Sequence, residues 1–557
     1  MSEQTATTHI DVLVIGAGIN GAGLFRDLCE QGVSTVIIDK ADFGSGTSSA
    51  PSRLIHGGVK YLETGELRLV AQSTFERNLL LRNAPHLVKP LRTIIPMFSW
   101  FKGIPAAIRT LFGSTTAPRS RGALLIEVGL ALYDIYGARR RVMPRHRFWT
   151  KRKAKAEMPL LTDRIVAAGT YFDALITGPE RLVFELVQDG LKAESTSQAF
   201  TYVTLDSLDG NIVHITDSAG KPQAFQPRIV VNATGPWIDD VNATLGVQSH
   251  LIGGTKGSHI VLDNPELVAA LNRRMVYYEA NDGRVCLVFD YLGRALVGST
   301  DIRANDPDTV RCTDEEINYF LESLRGLLPN LNVSRDQIIY TYSGIRPLPT
   351  SDHTQVGLIT RDHSAPVHEP AGQRDFPVFS LVGGKWTTFR GFAEEVCDTI
   401  LQRLGLPRLV STEDLSIGGG TDYPTADKEK DWIARVATKT GATQARTSLL
   451  LERYGSMAQL ILLAESDNPT PLQDAPGYSL QEIETLCQLE RIERLDDIVL
   501  RRTTLAITGY LTLRNLEEIA TIACRVLGWS RLRKAQELEK AIAILKDRHG
   551  LTFRHKK

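Results

Sequence analysis

The sequence predicts an α/β protein that ends in an all-α domain, and three observations carry that reading. A β-branched run, a glycine turn, a helical stretch and a second β-branched run open the chain, the pattern of a parallel βαβ unit. Short apolar strands then mix with helical segments through the middle. Beyond Gly418-Gly419-Gly420 helical periodicity dominates to the end. The 557 residues leave room for about three or four domain-sized units. With 43% hydrophobic and 23% charged residues, wholesale disorder is excluded.

Residues 10–15 (IDVLVI) form the first strand, because a short β-branched run before a glycine turn reads as buried β structure. Residues 19–31 form a helix that stops at Gly32, and residues 35–38 (TVII) form the next strand, closing at Asp39. Further strands are expected at 228–231, 285–289, 295–297 and 379–382. A domain boundary falls near 411–425. In the helical part Leu486, Leu489, Ile492, Leu495 and Ile498 recur every third residue, after Ser479-x-x-Glu482, which has the form of a capping box.

Lys+Arg 64 balances Asp+Glu 64, so nucleic acid is not an expected partner. Cysteines 29, 286, 312, 397, 487 and 524 make no C-x-x-C pair, which excludes a zinc ribbon, a thioredoxin motif and a local iron–sulfur cluster. No metal site is expected, and scattered thiols suit a reducing compartment. The opening MSEQTATTHI lacks the basic and apolar regions of a signal, so neither secretion nor mitochondrial import is expected. The most apolar stretch, 94–112, is broken by Pro96, Lys102, Pro105 and Arg109, so no transmembrane helix is expected.

Gly16-Ala17-Gly18-Ile19-Asn20-Gly21 fits G-x-G-x-x-G between strand and helix, with Asp39 23 residues after Gly16. Gly16 permits the tight turn, Gly18 lets the backbone approach a pyrophosphate, and Gly21 lets helix and strand pack closely. The helix N-terminus offers N–H groups to the phosphates. Asp39 can accept hydrogen bonds from a ribose and would repel a 2′-phosphate, so NAD or FAD fits better than NADP. The fingerprint does not separate those two. No second fingerprint occurs in strand–helix context, so a flavoenzyme of this sequence would draw its electrons from the organic substrate.

Beyond Asp39 the chain reads FGSGTSSAPSRLIHGGVKYLETGELRLV (43–70). Later come VNATGPW (231–237), KGSHIV (256–261), YSGIRP (342–347), ITRD (359–362), GGKWTTFRGFAEE (383–395), LLLERYG (449–455) and DDIVLRRT (496–503). Together with GAGINGAG (16–23), and in this order over nearly the whole chain, they closely resemble the FAD-dependent glycerol-3-phosphate dehydrogenases. The resemblance implies a Rossmann-like FAD-binding domain interrupted by a mixed-sheet substrate domain. The oxidoreductase region would span 1–415, with FAD-binding segments about 1–90, 165–240 and 340–410 and substrate segments about 91–164 and 241–339. The helical domain would take 416–557.

The resemblance also places Gly16, Gly18, Gly21 and Asp39 on the adenosine diphosphate part of FAD. It puts Thr47, Ser48, Ser49, Arg53, His56 and Gly57 on the flavin side, and Ala233, Gly235 and Trp237 on a further FAD-contacting turn. Gly384, Lys385 and Thr387 fall where a helix begins near the flavin pyrimidine edge, where its N-terminus would stabilise reduced flavin. By residue type alone, Ser and Thr clusters are also ordinary turns, and Trp237 is equally a core aromatic.

Oxidising a secondary alcohol needs a hydride acceptor, a base and anchors. A phosphate dianion is best held by convergent Arg and Lys groups, and the family-matched candidates are Lys60, Arg346, Arg361 and Lys385. The expected base is His259, with His56 second. Arg346 is expected to act in catalysis as well as in binding. The family commonly has Arg where this chain has Lys60, which loses the planar fork and keeps an erythritol or threitol phosphate open as substrate.

Residues 101–155 hold 13 Lys+Arg against Glu127 and Asp134, a net of +11, with Leu124, Leu125, Val128, Leu132 and Ile135 on an amphipathic helix among them. That pattern suits an anionic membrane surface. The family implies a peripheral enzyme on the cytoplasmic face of a bacterial membrane that passes electrons to a membrane quinone, and size suggests a homodimer. The expected reaction is therefore oxidation of sn-glycerol 3-phosphate to dihydroxyacetone phosphate. An oxygen-using glycerophosphate oxidase shares most motifs, and a catalytically silent membrane flavoprotein is the alternative from another class.

Overall fold

The computed structural model describes residues 7–62, 65–102, 122–280, 282–351, 359, 361–465 and 469–553. Strand β1 (Thr7–Ile15), helix α1 (Ile19–Glu30) and strand β2 (Thr35–Ile38) form the opening βαβ unit. β1 lies parallel between β2, with Val12 opposite Thr35, and β3 (Pro222–Asn232), with Val12 opposite Ile229. Val378–Ser380 extends the parallel sheet beyond β3, and Gln198–Phe200 extends it beyond β2. Cover on both faces explains the nearly unbroken apolar run at 10–15. On one face lie α1, α4 (Pro179–Ala193) and α6 (Phe389–Leu404), which share a core with Val12 and Val14. On the other, Leu13, Ile15 and Val36 meet Val213, Ile215 and Phe225.

Among the described residues a second sheet has ten strands. Within it β4 (Thr255–Leu262) lies antiparallel both to Arg294–Gly298 and to β5 (Ile338–Arg346). Val88–Met97 pairs with Ala167–Ile176 in the same sheet. The expected segment limits at 165 and 340 therefore differ from the sheet edges, since Ala167–Ile176 and β5 both belong to this second sheet. Pairing joins residues far apart in sequence, and local pattern does not encode it. Three expected strands lie within β3, Val285–Tyr291 and Arg294–Gly298. The fourth is split: Val378–Ser380 joins the parallel sheet, while Val382–Gly383 pairs with His363–Ser364.

Two further helices matter here, α2 (Leu67–Asn83) and α3 (Ala123–Tyr136), together with α5 (Asp314–Leu327). The C-terminal domain runs from Glu429–Thr440 to α8 (Arg531–His549). Among the described residues its strands are those of a small hairpin, Pro471–Leu472 with Ala475–Ser479. In α7 (Leu480–Leu489) the Ser479 hydroxyl accepts the Glu482 N–H at 2.9 Å. The Glu482 carboxylate goes instead to Arg446, Arg453 and Tyr454, so only half of a capping box forms. The apolar repeat does not continue as one helix to Ile498. α7 ends at Leu489, Arg491 turns left-handed with φ 50°, and a π-helical turn resumes over Asp497–Arg502. Among the described residues no helix is long and apolar enough to cross a membrane.

Candidate active site

The glycine turn after β1 is shaped by contacts that admit no side chain. A Cβ on Gly21 would lie 1.9 Å from the Gly16 carbonyl oxygen, and one on Gly16, whose φ is +99°, would lie 2.7 Å from that of Ala233. Asp39, at the end of β2, accepts the Ala17 N–H at 2.7 Å and the Ala41 N–H at 2.9 Å. Burial pushes its carboxyl up to about 6, with the two N–H groups opposing. Ala233 closes the turn by donating its N–H to Ile15, and Gly235 follows with φ +61°.

The hydroxyls of the next loop shape the loop itself. Thr47 donates to the Ile345 carbonyl at 2.6 Å, Ser48 accepts the Ile19 N–H at 2.9 Å, and Ser49 donates to the Gly46 carbonyl at 2.8 Å. Ser48 thus caps α1, whose N-cap is the side-chain-free Gly18. Trp237 is half-buried beside Gly46, under the Lys40 ammonium at 4.0 Å, and donates to Asp308. It borders the loop and is not a core aromatic. Arg53 departs from the flavin-side expectation, because its guanidinium is buried against Glu180 at 2.8 Å and the Tyr291 hydroxyl at 3.0 Å.

The structure brings Lys385, Thr387, His56 and Gly57 together. Gly383 and Gly384, with φ +70° and +88°, turn the chain into the start of α6. The Lys385 ammonium donates to the His56 carbonyl and the Ser73 hydroxyl, both at 3.0 Å. Burial pulls its pKa from 10.5 down to about 7. His56 donates its N–H to Thr387 Oγ1 at 3.2 Å, and burial with Lys385 close by holds its imidazole well below the ordinary value. Gly57 donates to the Tyr133 hydroxyl at 2.9 Å and to Asp173, which also holds Arg77.

Arg346 and Arg361 converge on one carboxylate, Asp301, at 3.1 and 2.9 Å. Burial raises that carboxyl, but the two arginines outweigh it and hold it below the usual range, with Lys60 adding to the effect. Arg346 also donates to the Thr300 carbonyl and the Ser299 hydroxyl. Two glycines make the room. A Cβ on Gly257 would lie 2.1 Å from the Arg346 guanidinium, and one on Gly298 would lie 2.1 Å from the His259 ring.

His259, only 1% exposed on β4, stacks on Tyr342 with ring centres 4.7 Å apart. Its Nε2 meets the Ser52 hydroxyl at 2.8 Å, and its buried Nδ1 has no partner. Burial, then Arg346 and Arg53, holds its pKa well below 6.5, so the ring is neutral at working pH. Sequence reasoning missed Ser52, Asp301 and Gly298. Ser52 lay inside a quoted motif, whereas nothing local marked Asp301 or Gly298.

Residues 11–398 match the family described as FAD dependent oxidoreductase. The chain belongs to that family. In this flavoenzyme residues 410–534 match the C-terminal domain of alpha-glycerophosphate oxidase. Among its relatives, a glycerol-3-phosphate dehydrogenase of Synechocystis is 33% identical, over 96% of each chain. A D-erythritol 1-phosphate dehydrogenase of Brucella abortus is 30% identical, over 92% of this chain and 97% of that one. A solved glycerol-3-phosphate dehydrogenase from Bacillus halodurans, complexed with FAD, shares the fold with a TM-score of 0.74. It covers 97% of this chain and 95% of its own, at 22% identity.

FAD is the cofactor of this oxidoreductase, and the donor set fits it. Asp39 has acceptor lone pairs left for ribose hydroxyls beyond the two N–H bonds it takes. Gly18 keeps the backbone at the start of α1 open to phosphate, where a Cβ would press to 3.1 Å on Ser48 Oγ.

Proposed function

We propose that this flavoenzyme oxidises sn-glycerol 3-phosphate to dihydroxyacetone phosphate and hands the electrons to a membrane quinone. The carrying observation is the cationic cluster: Arg346 and Arg361 on Asp301, with Lys60 and Lys385 within electrostatic reach of it or of Arg361. Two arginine forks and two ammonium groups suit a phosphate dianion. FAD, when bound, would supply the hydride acceptor. Lys385 is pinned by His56 and Ser73, so its charge can be placed without reorganisation. The neutral His259 receives the hydroxyl proton through the half-buried Ser52, because its Nε2 faces that hydroxyl.

The test is anaerobic bleaching of the flavin band near about 450 nm. Glycerol 3-phosphate should bleach it rapidly, and failure of every polyol phosphate to do so would overturn the reading. His259→Asn and Ser52→Ala should each slow bleaching about a hundredfold while substrate affinity changes little. Unchanged bleaching in stopped flow removes them from proton transfer. A second reading, an erythritol or threitol phosphate as substrate, is favoured by Lys60 where the family commonly has Arg; bleaching by the longer ester alone would support it.

We also assign membrane docking to α3, on the cytoplasmic side of a bacterial membrane. Its inward face buries Leu130 and Tyr133, while Val128 is 52% and Ile135 67% exposed, alongside Leu124 and Leu132. Trp100 and Phe101 add exposed aromatic surface where Leu124 donates its N–H to Trp100. The basic contribution is smaller than the sequence count. Arg139 and Arg140 pair with Glu413, Arg141 with Asp134, Lys153 with Glu157 and Lys155 with Asp163. Arg109, Arg119 and Arg121 lie outside the described residues. Flotation with anionic vesicles checks the assignment: Val128→Glu with Ile135→Glu should abolish binding, and retained binding overturns it.

A further inference from the structure

We propose that the helical C-terminal domain is a cofactor-retention device, which locks the loop 42–49 into its binding shape through a buried clamp of Asp42, Arg501 and Arg502. The loop follows β2 and faces the glycine turn. Gly44 donates its N–H to Ala17 at 2.9 Å, and Ser48 caps α1. Its tip is tied to β5 by the Thr47 hydroxyl. Its root is Asp42, which is fully buried.

The Asp42 carboxylate is saturated, mostly by the C-terminal domain. Oδ2 accepts from Arg501 Nε at 2.6 Å and Arg502 Nη1 at 2.8 Å. Oδ1 accepts from Arg502 Nη2 at 2.9 Å and from the Phe43 N–H at 2.8 Å. The two-pronged grip of Arg502 fixes the orientation of the carboxylate as well as its position.

Both arginines are themselves held. Arg501 reaches Asp496 at 2.7 Å and Asp497 at 2.6 Å, and Asp497 accepts the Tyr202 hydroxyl and the Glu493 and Arg494 N–H groups. Arg502 lies over the Phe184 ring at 4.6 Å and donates to the Glu490 carbonyl. Glu490 in turn takes both prongs of Arg181 of α4 at 2.9 Å. Apolar side chains would join two domains without desolvating two arginines and three aspartates. A charged network at the root of one loop instead imposes a single geometry on it. The inference rests on the cofactor and is independent of which substrate is oxidised.

The experiment dilutes the full-length holoprotein and follows the rise of free flavin fluorescence. Asp42→Asn combined with Arg502→Met removes the pair without stranding a buried charge, and should speed FAD release about tenfold. Asp42→Asn alone should also speed release, and it decides the matter where the double variant fails to fold. His549→Ala is the control. It cuts another contact of the same domain, since His549 stacks on Tyr340 at 4.5 Å and meets the Thr341 carbonyl at 3.0 Å. At matched thermal midpoint the control should release FAD at the wild-type rate. Wild-type release from the Asp42 variants overturns the proposal, and so does equal loosening by the control.

Discussion

Lys385 illustrates how a single buried side chain sets a binding signature. At about pH 8 most of it is neutral, because burial has lowered its pKa to about 7. A dianion beside it favours the ammonium and raises that pKa, so ligand binding should take up a proton. Calorimetric binding enthalpies should therefore vary with buffer ionisation heat around pH 8, and Lys385→Met should erase the dependence. A buffer-independent enthalpy in the wild type would remove Lys385 as a phosphate anchor. Lys385, Arg346, Arg361 and His259 were legible as candidates only through the resemblance, on the motifs GGK, SGIRP, ITRD and KGSH. Their partners were not legible. Asp301 serves two arginines, 45 and 60 residues away, and Glu180 draws Arg53 off from 127 residues away. Both are facts of tertiary proximity, which local spacing does not carry.

At the level of elements, the glycines divide by what a methyl group would strike. On Gly21 it meets backbone at 1.9 Å, which cannot yield, so Gly21→Ala should purify with little or no flavin. On Gly257 it meets the guanidinium end of Arg346, which can swing aside. Gly257→Ala should keep its flavin and its thermal midpoint while KM for the phosphate ester rises about tenfold. Absorbance ratios and steady-state kinetics distinguish the two outcomes. The opening βαβ unit could be read directly, because strand, turn and helix there obey their own local periods. The repeat from Leu486 to Ile498 obeys a local period too, but the structure breaks it. A three-residue period resembles a helix face, yet the left-handed Arg491 interrupts it; Leu486, Ile492, Leu495 and Ile498 reach a common core from two separate segments, while Leu489 is exposed.

Across the whole molecule, the C-terminal helices share one core with the second sheet: Leu486, Ile492, Leu495 and Ile498 lie with Tyr291, Tyr340 and Tyr342. The helical domain should accordingly not melt by itself. Calorimetry of the full chain should give no separate transition for it, and a chain ended at residue 410 should aggregate through the uncovered sheet. An independent transition would contradict the shared core. The boundary near 411–425 is legible as the onset of helical periodicity, which registers the change from strands to helices but not the surface that joins them. The order of synthesis adds a consequence. The two arginines that hold Asp42 are made 459 and 460 positions after it, so the clamp on its loop closes only late in synthesis. Nascent chains can form the opening βαβ unit early, but the firm hold on flavin proposed above has to wait until translation is all but complete.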